Sequence, residues 1–379
     1  MKAPSTNNTP ELREQCAGKL HAAEARAQKL RAFLGLDGFV DEIVHVVDKR
    51  EHADSFERMT TITRLAERLA AAAGKSTNLE LVTQRVKLGG NGPIMANALA
   101  AFGVQVTYLG ALGYPNLHPV FHDFARQADV HSIAEPGHTD ALEFEDGKIM
   151  LGKSTQLNEI TWPNIQARFG RDKFVSHFTG ADLVGFVNWT MIPYMSDVWD
   201  SLLTEICPDL EEPRRKIFFD LADPEKRTSN DIARVLELIV RFTKYFDVIL
   251  GLNEKEAYAL GKVLRVAPKP RTALGLAGLA REISQRLPVD TLVVHPVAYA
   301  VAVHQGVANV IDGPLVEKPL ITTGAGDHFN SGFCLGKLLG LDNALCVLTG
   351  VTTSGFYVRT AKSPSIADLV HMLRNWPAN

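Results

Sequence analysis

Short apolar runs alternate with amphipathic stretches for most of this chain. The runs Val104–Leu109, Asp182–Val187, Ile217–Leu221, Val248–Leu252 and Thr291–Val294 carry few polar residues, as strands buried on both faces do. Between them, Met95–Phe102, Asp197–Ile206, Asp231–Tyr245 and Leu274–Leu287 repeat apolar residues at helical spacing. Apolar strands separated by helices predict a doubly wound α/β fold, a mostly parallel sheet with helices on both faces.

Other segments break that rhythm. Glu42–Arg50 and Leu81–Leu88 alternate apolar and polar residues, as does Thr139–Ser154, which contains the hairpin signal Asp146-Gly147. They predict a small antiparallel β lid, inserted at about 42–50, 81–88 and 139–154, that closes over a site at the main sheet's edge. Its exposed sheet also offers a homodimer surface. Near the start, Thr9 is a helix N-cap candidate and Pro10 suits the first helical position. Leu12, Leu20, Ala23, Ala27 and Leu30 recur at helical spacing. The expected organisation is an N-terminal helical extension, 1–32, followed by one α/β body, 33–379.

Composition narrows the function classes. Hydrophobic residues at 46% and charged residues at 22% match a globular protein. A net charge of −3 excludes a generally basic nucleic-acid binder. Cys16, Cys207, Cys334 and Cys346 show neither close pairing nor zinc-ligand spacing, and read as reduced thiols in a cytosolic protein. Residues 1–10 lack the apolar core of a secretion signal. Leu88–His122 contains no acidic residue, Lys or Arg, yet Gly-Gly-Asn-Gly-Pro and Pro115 interrupt it. It reads as a buried helix and a buried strand rather than a membrane span. The expectation is a cytoplasmic protein with no nucleic-acid or membrane partner.

Three segments could carry chemistry. In Thr322-Thr323-Gly324-Ala325-Gly326-Asp327, small residues open an apolar helical run. Backbone N–H groups there can approach an anion closely, and the helix dipole adds to the attraction. A carboxylate beside that anion either takes a proton from an attacking hydroxyl or simply caps the helix. In Gly251-Leu252-Asn253-Glu254-Lys255-Glu256, Asn253 and Glu256 suit a magnesium ion held through water, or alternatively a capping-box pair. Gly89-Gly90-Asn91-Gly92 precedes the buried helix and lets backbone approach a ligand.

Taken along the chain, the early acids of Leu36-Asp37-Gly38-Phe39-Val40-Asp41, the Gly-Gly turn, Asn-x-x-Glu and finally Gly-Ala-Gly-Asp resemble, in content and order, the ribokinase-like (PfkB) family of carbohydrate kinases over about residues 33 to 375. The resemblance implies transfer of the ATP γ-phosphoryl group to a hydroxyl of a sugar or sugar-like molecule. It makes Asp327 the catalytic base and Gly324, Ala325 and Gly326 the anion hole, while Asn253 and Glu256 organise Mg2+ through water. Asp41, with Asp37 as second candidate, would hold sugar hydroxyls alongside Gly89, Gly90 and Asn91. Arg227, in Asp223-Pro224-Glu225-Lys226-Arg227, would reach the substrate or else form a surface salt bridge.

The chain also departs from the family. Ile321 stands where the family has Asp, which leaves monovalent-cation activation in doubt. Ile94 replaces the usual Asn after Gly-Gly. His295-Pro296-Val297-Ala298-Tyr299 replaces Thr-Leu-Gly-x-x-Gly on the nucleotide side, so that loop's contacts do not carry over. A nucleoside kinase and a catalytically silent sugar sensor are the alternatives. Few aromatics on the lid favour sugar, and Asp327 argues against the sensor. Gly147–Ser154 fits P-loop spacing, but its Gly lies in the hairpin turn, Lys148–Leu151 look like strand and Asn158–Pro163 makes a poor helix. His118 and His122 share one helix face without a third metal ligand and read as a surface pair.

Overall fold

The computed structural model describes residues 8–377; residues 1–7, on which most of the secretion-signal reading falls, and residues 378–379 lie outside the described residues. Nine strands form the main sheet. Across it they run Val307–Asp312, Tyr299–His304, Thr291–Val294, Phe246–Leu252, Arg215–Asp220, Leu183–Phe186, Arg31–Leu36, Gln105–Gly110 and Asp129–Ser132. The first two add an antiparallel hairpin at one edge, and the other seven are parallel. Alternate residues feed two cores. Phe33 and Phe219 point to a layer with Trp162, Phe174 and Trp199, whereas Leu34 and Phe218 meet Met95, Phe329 and Phe333. Strands buried on both faces need no polar side, which is why their runs are so apolar.

The N-terminal helix, Pro10–Ala27, is capped by the Thr9 side chain, which accepts the Leu12 N–H. It packs against the helix Ile366–Arg374, with Arg374 paired to Glu14 at 3.0 Å. Arg31 already pairs with Gln105, so residues 31 and 32 belong to the sheet rather than to the extension. All four cysteines are buried and free. Among the described residues no helix is long and apolar enough to cross a membrane. His118 caps a short turn, its Nδ1 accepting the Val120 N–H.

A second sheet of five strands stands beside the first: Phe39–His52, Ser55–Arg58, Leu81–Gly89, Gly137–Glu143 and Lys148–Lys153. Three of its four pairings are antiparallel, while Phe39–His52 pairs in parallel with Gly137–Glu143. The helix Ile62–Ala71 covers part of one face, burying Leu65 with Val44, Val46 and Leu142. Gly147 takes the hairpin turn and Lys148–Lys153 is a strand, with Lys153 paired to Asp140 at 3.0 Å. The P-loop spacing therefore has none of the geometry that cradles phosphate.

The chain enters the main sheet at Arg31–Leu36, winds first to one side and then back past its start to Leu183–Phe186. In open α/β sheets the crevice at such a reversal, beyond the strands' carboxyl ends, is where ligands bind. Asp37, Asn188, Asp220 and Asn253 all sit at those ends, and the second sheet rises from the same place.

Candidate active site

The helix Ala325–Leu338 begins at the crevice. Gly324 precedes it with φ 92°, a left-handed turn that side chains disfavour. The Ala325 N–H turns back to the Thr322 carbonyl at 3.1 Å, and His328 is the first to bond the Gly324 carbonyl, at 3.0 Å. Gly326 and Asp327 lie in the first turn, whose N–H groups have no intrahelical acceptor. The loop is braced from behind. Tyr357 donates its hydroxyl to the Thr323 carbonyl at 3.0 Å, and His328 Nδ1 lies 2.8 Å from the Gly324 carbonyl. His328 Nε2 meets Ser363 Oγ at 2.9 Å, and its ring stacks on Tyr357 at 3.6 Å. A rigid turn thus presents Gly324, Ala325 and Gly326 at a helix N-terminus, with the anion-attracting end of the dipole beside them.

Asp327 is buried, and Asn91 donates to its Oδ1 at 2.9 Å. Burial pushes the Asp327 carboxyl up to about 7; the Asn91 bond and the Lys87 charge pull against this, and Asp37 adds to it. A carboxylate held near neutrality suits general-base work.

On the opposite wall, Asp41 lies in the strand Phe39–His52 with Lys87 and Thr139 as its cross-strand neighbours. Lys87 Nζ is 3.9 Å from Asp41 Oδ2, and burial raises the Asp41 carboxyl against the pull of that charge. A Cβ on Gly89 would fall 2.4 Å from the Asp41 carboxyl, so the glycine leaves room for the acid.

Two expected substrate contacts are corrected by their surroundings. Asp37 is fully buried and does not line the cavity. Its oxygens accept from the N–H groups of Asn91 and Gly92 at 3.0 and 2.9 Å and from Asn188 Nδ2 at 2.7 Å. It braces the Gly-Gly turn instead of facing a ligand. Arg227 is also elsewhere. Its guanidinium donates to the carbonyls of Thr190, Trp189, Ile192 and Pro193 and lies 4.5 Å over the Trp189 ring. Those bonds occupy the fork that would grip a substrate, and the alternative of a surface salt bridge is not formed either.

Asn253 and Glu256 form a full capping box for the helix Glu254–Val263. Glu256 N–H donates to Asn253 Oδ1 at 2.9 Å, and Asn253 N–H to Glu256 Oε2 at 2.7 Å. The Asp223 N–H donates to Glu256 Oε1 at 2.7 Å. Capping does not exhaust Glu256, since each carboxylate oxygen retains acceptor capacity. Near it, Asp220 accepts from the Ala222 N–H and from Asn330 Nδ2. Burial raises both acids, Asp327 raising Asp220 further and Asp220 raising Glu256. Two buried acids that repel one another, beside a neutral amide oxygen, form a hard-oxygen set that fits a magnesium ion keeping most of its waters.

Asp41, Asn91, Asn253, Glu256 and Asp327 line one cavity of about 380 Å³, together with Gly90, Gly324 and Gly326. A second cavity of about 370 Å³ shares Asn253, His295 and Gly326 with it and is walled by apolar residues such as Val297, Leu315, Val351 and Val358. Asp220, Asn188 and His295 complete the first cavity without having been singled out as site residues. Asp220 carried a usable signal, as the acid that ends the apolar run Ile217–Phe219 at a strand's carboxyl end. Asn188 had none of comparable strength.

A family model described as prokaryotic ketohexokinase matches residues 7–376. The chain is similar to the ketohexokinase of Haloferax volcanii, with 29% identity over 341 residues that cover 89% of each chain. Its fold resembles adenosine kinase from Sinorhizobium meliloti, with TM-score 0.61 and 18% identity over 92% of this chain and 99% of that one. It also resembles Arabidopsis thaliana ribokinase complexed with ribose and ATP, with TM-score 0.60 and 14% identity over 91% and 98%.

Proposed function

The chain belongs to the prokaryotic ketohexokinase family of carbohydrate kinases, and from that premise we propose that it transfers the γ-phosphoryl group of ATP to a hydroxyl of a ketohexose. The observation that supports this reading most is the buried Asp327 carboxylate in a polar cavity, in the first turn of the helix whose glycine-rich start lines the same space. A hydroxyl placed there gives its proton to Asp327 as its oxygen bonds phosphorus and the bond to the departing ADP oxygen breaks. The first-turn N–H groups of Gly326 and Asp327, rather than the Ala325 N–H that is bonded to Thr322, offset charge on the phosphoryl oxygens as it passes.

The walls favour a neutral polyol. Among the described residues Asp41, Asp220, Asp223, Glu256 and Asp327 line the cavity with Lys226 as its one Lys or Arg, and with Lys87 paired to Asp41 the acids still outnumber the cations, which disfavours a substrate that already carries phosphate. Phe39 is its only Phe, Tyr or Trp, so there is little flat surface for a nucleobase on the acceptor side. Asp41 and Asn91 offer the acceptor and donor that sugar hydroxyls need. The apolar second cavity suits the adenine. Asn253 and Glu256, with Asp220 beside them, would hold magnesium through water, and the ion when bound supplies positive charge to the phosphates. The second sheet acts as a lid that excludes water from the transfer.

The test is a panel of ketohexoses, aldoses and nucleosides with ATP and magnesium, scored by ADP release. Turnover with a ketohexose is expected. Turnover of nucleosides and of no sugar would replace this reading with a nucleoside kinase, and no turnover would favour a sensor.

A further inference from the structure

His295 follows the strand Thr291–Val294 at its carboxyl end, where its N–H donates to the Leu252 carbonyl at 3.0 Å. Its ring packs on Phe329 at a centroid distance of 5.0 Å. It also lies against Gly326, where an added Cβ would come within 3.0 Å of His295 Cε1. The residue belongs to the wall common to the polar and the apolar cavity. Nε2 is shielded from solvent and has no hydrogen-bond partner. Buried polar atoms in native proteins are nearly always paired, and an exception at a site calls for a ligand that completes it. The junction of the two cavities is where a triphosphate must run from an adenine pocket to Asp327.

We propose that His295 Nε2–H donates a hydrogen bond to a phosphate oxygen of the bound nucleotide, an inference that rests on the phosphoryl-transfer reading above. It gives a function to His295-Pro296-Val297-Ala298-Tyr299, the segment whose contacts could not be taken over from the family's Thr-Leu-Gly loop. Burial pushes the imidazole down to about 4, so at pH 7 the ring is neutral and one nitrogen carries a proton. A neutral donor contacts phosphate without pairing with the Glu256 and Asp327 carboxylates of the same cavity, as a lysine in its place would.

The experiment is calorimetric titration of the full chain, without sugar, by MgATP and separately by adenosine, in the wild type and in two variants. His295→Phe keeps a ring against Phe329 but has no N–H. His295→Gln puts an amide N–H near the place of Nε2. The expected result is MgATP binding weakened at least about tenfold in His295→Phe, since a hydrogen bond to a charged group is lost. Adenosine binding stays unchanged, which also reports an intact fold, and His295→Gln retains most MgATP affinity. The inference is overturned if His295→Phe binds MgATP like the wild type, if MgATP and adenosine weaken equally, or if His295→Gln is the weaker variant. A wild type that binds no MgATP would fell the phosphoryl-transfer reading as well. Normal wild-type binding with an unaffected His295→Phe fells this inference alone.

Discussion

Asp327→Asn separates the catalytic from the structural consequences of one buried carboxylate. The amide keeps an acceptor for the Asn91 donation and nearly the same volume, but it cannot take a proton. Loss of a general base typically costs about 10²–10⁴-fold, so kcat should fall by at least about 10² with the affinities for ATP and sugar little changed. Stability should move the other way. A carboxyl moved from 3.8 to about 7 by burial is destabilised as an anion by about 4 kcal/mol. The folded-state value is raised above the unfolded one, so the group favours the native state least above pH 7, and the penalty disappears below about pH 4. Asp327→Asn should therefore gain close to that amount at pH 8 and about a third of it at pH 5. For a chain of this length the unfolding entropy is about 0.8 kcal/mol/K, which turns the pH 8 gain into a rise of about 5 °C in Tm. Steady-state kinetics and differential scanning calorimetry at both pH values check it. A variant that stays active, or one whose Tm falls at pH 8, would refute the assignment of Asp327 as a strained buried base.

Glu256→Gln should raise the magnesium concentration for half-maximal rate severalfold while the chain stays folded. An unchanged requirement would leave Glu256 only its capping role on the helix that begins at Glu254. Arg227→Lys should cost about 1–3 kcal/mol of stability, because a lysine cannot reach four carbonyls and lie flat over Trp189 at once. The sugar KM should not change; a tenfold rise would return Arg227 to the substrate.

The sequence made the sheet legible because its strands are buried on both faces and so lack polar interruptions. The five named runs each lie at a strand of the main sheet, and the alternating segments lie in the second. The hairpin Tyr299–Asp312, turned by Gln305-Gly306 at positive φ, is an antiparallel addition at the sheet's edge that the alternation of strands with helices does not predict. The strand Ser55–Arg58 is too short for its alternation to stand out. The motifs located Asp327, Asn253 and Asn91, whose neighbours in sequence betray the turn or cap that presents them. They ranked Asp41 ahead of Asp37, four residues apart, but kept both, since only the fold shows that the Gly-Gly turn covers Asp37. Nor could they foresee that Arg227 would be spent on carbonyls of Trp189–Pro193, a segment distant in sequence and close only after folding. Asp220 and Lys87 entered the electrostatics for the same reason, as contributions from separate strands.

The central claim, that Asp327 in its buried setting is the base for phosphoryl transfer to a sugar, is tested most directly by the pH dependence of kcat/KM. The measurement uses the best ketohexose, saturating MgATP, and pH 5 to 9. Asp327 accepts a proton only when ionised, and burial holds it at about 7. The rate constant should rise about tenfold per pH unit below pH 7 and level off above it. A flat profile across this range, or a limb centred near pH 4 where exposed carboxylates titrate, would contradict the account.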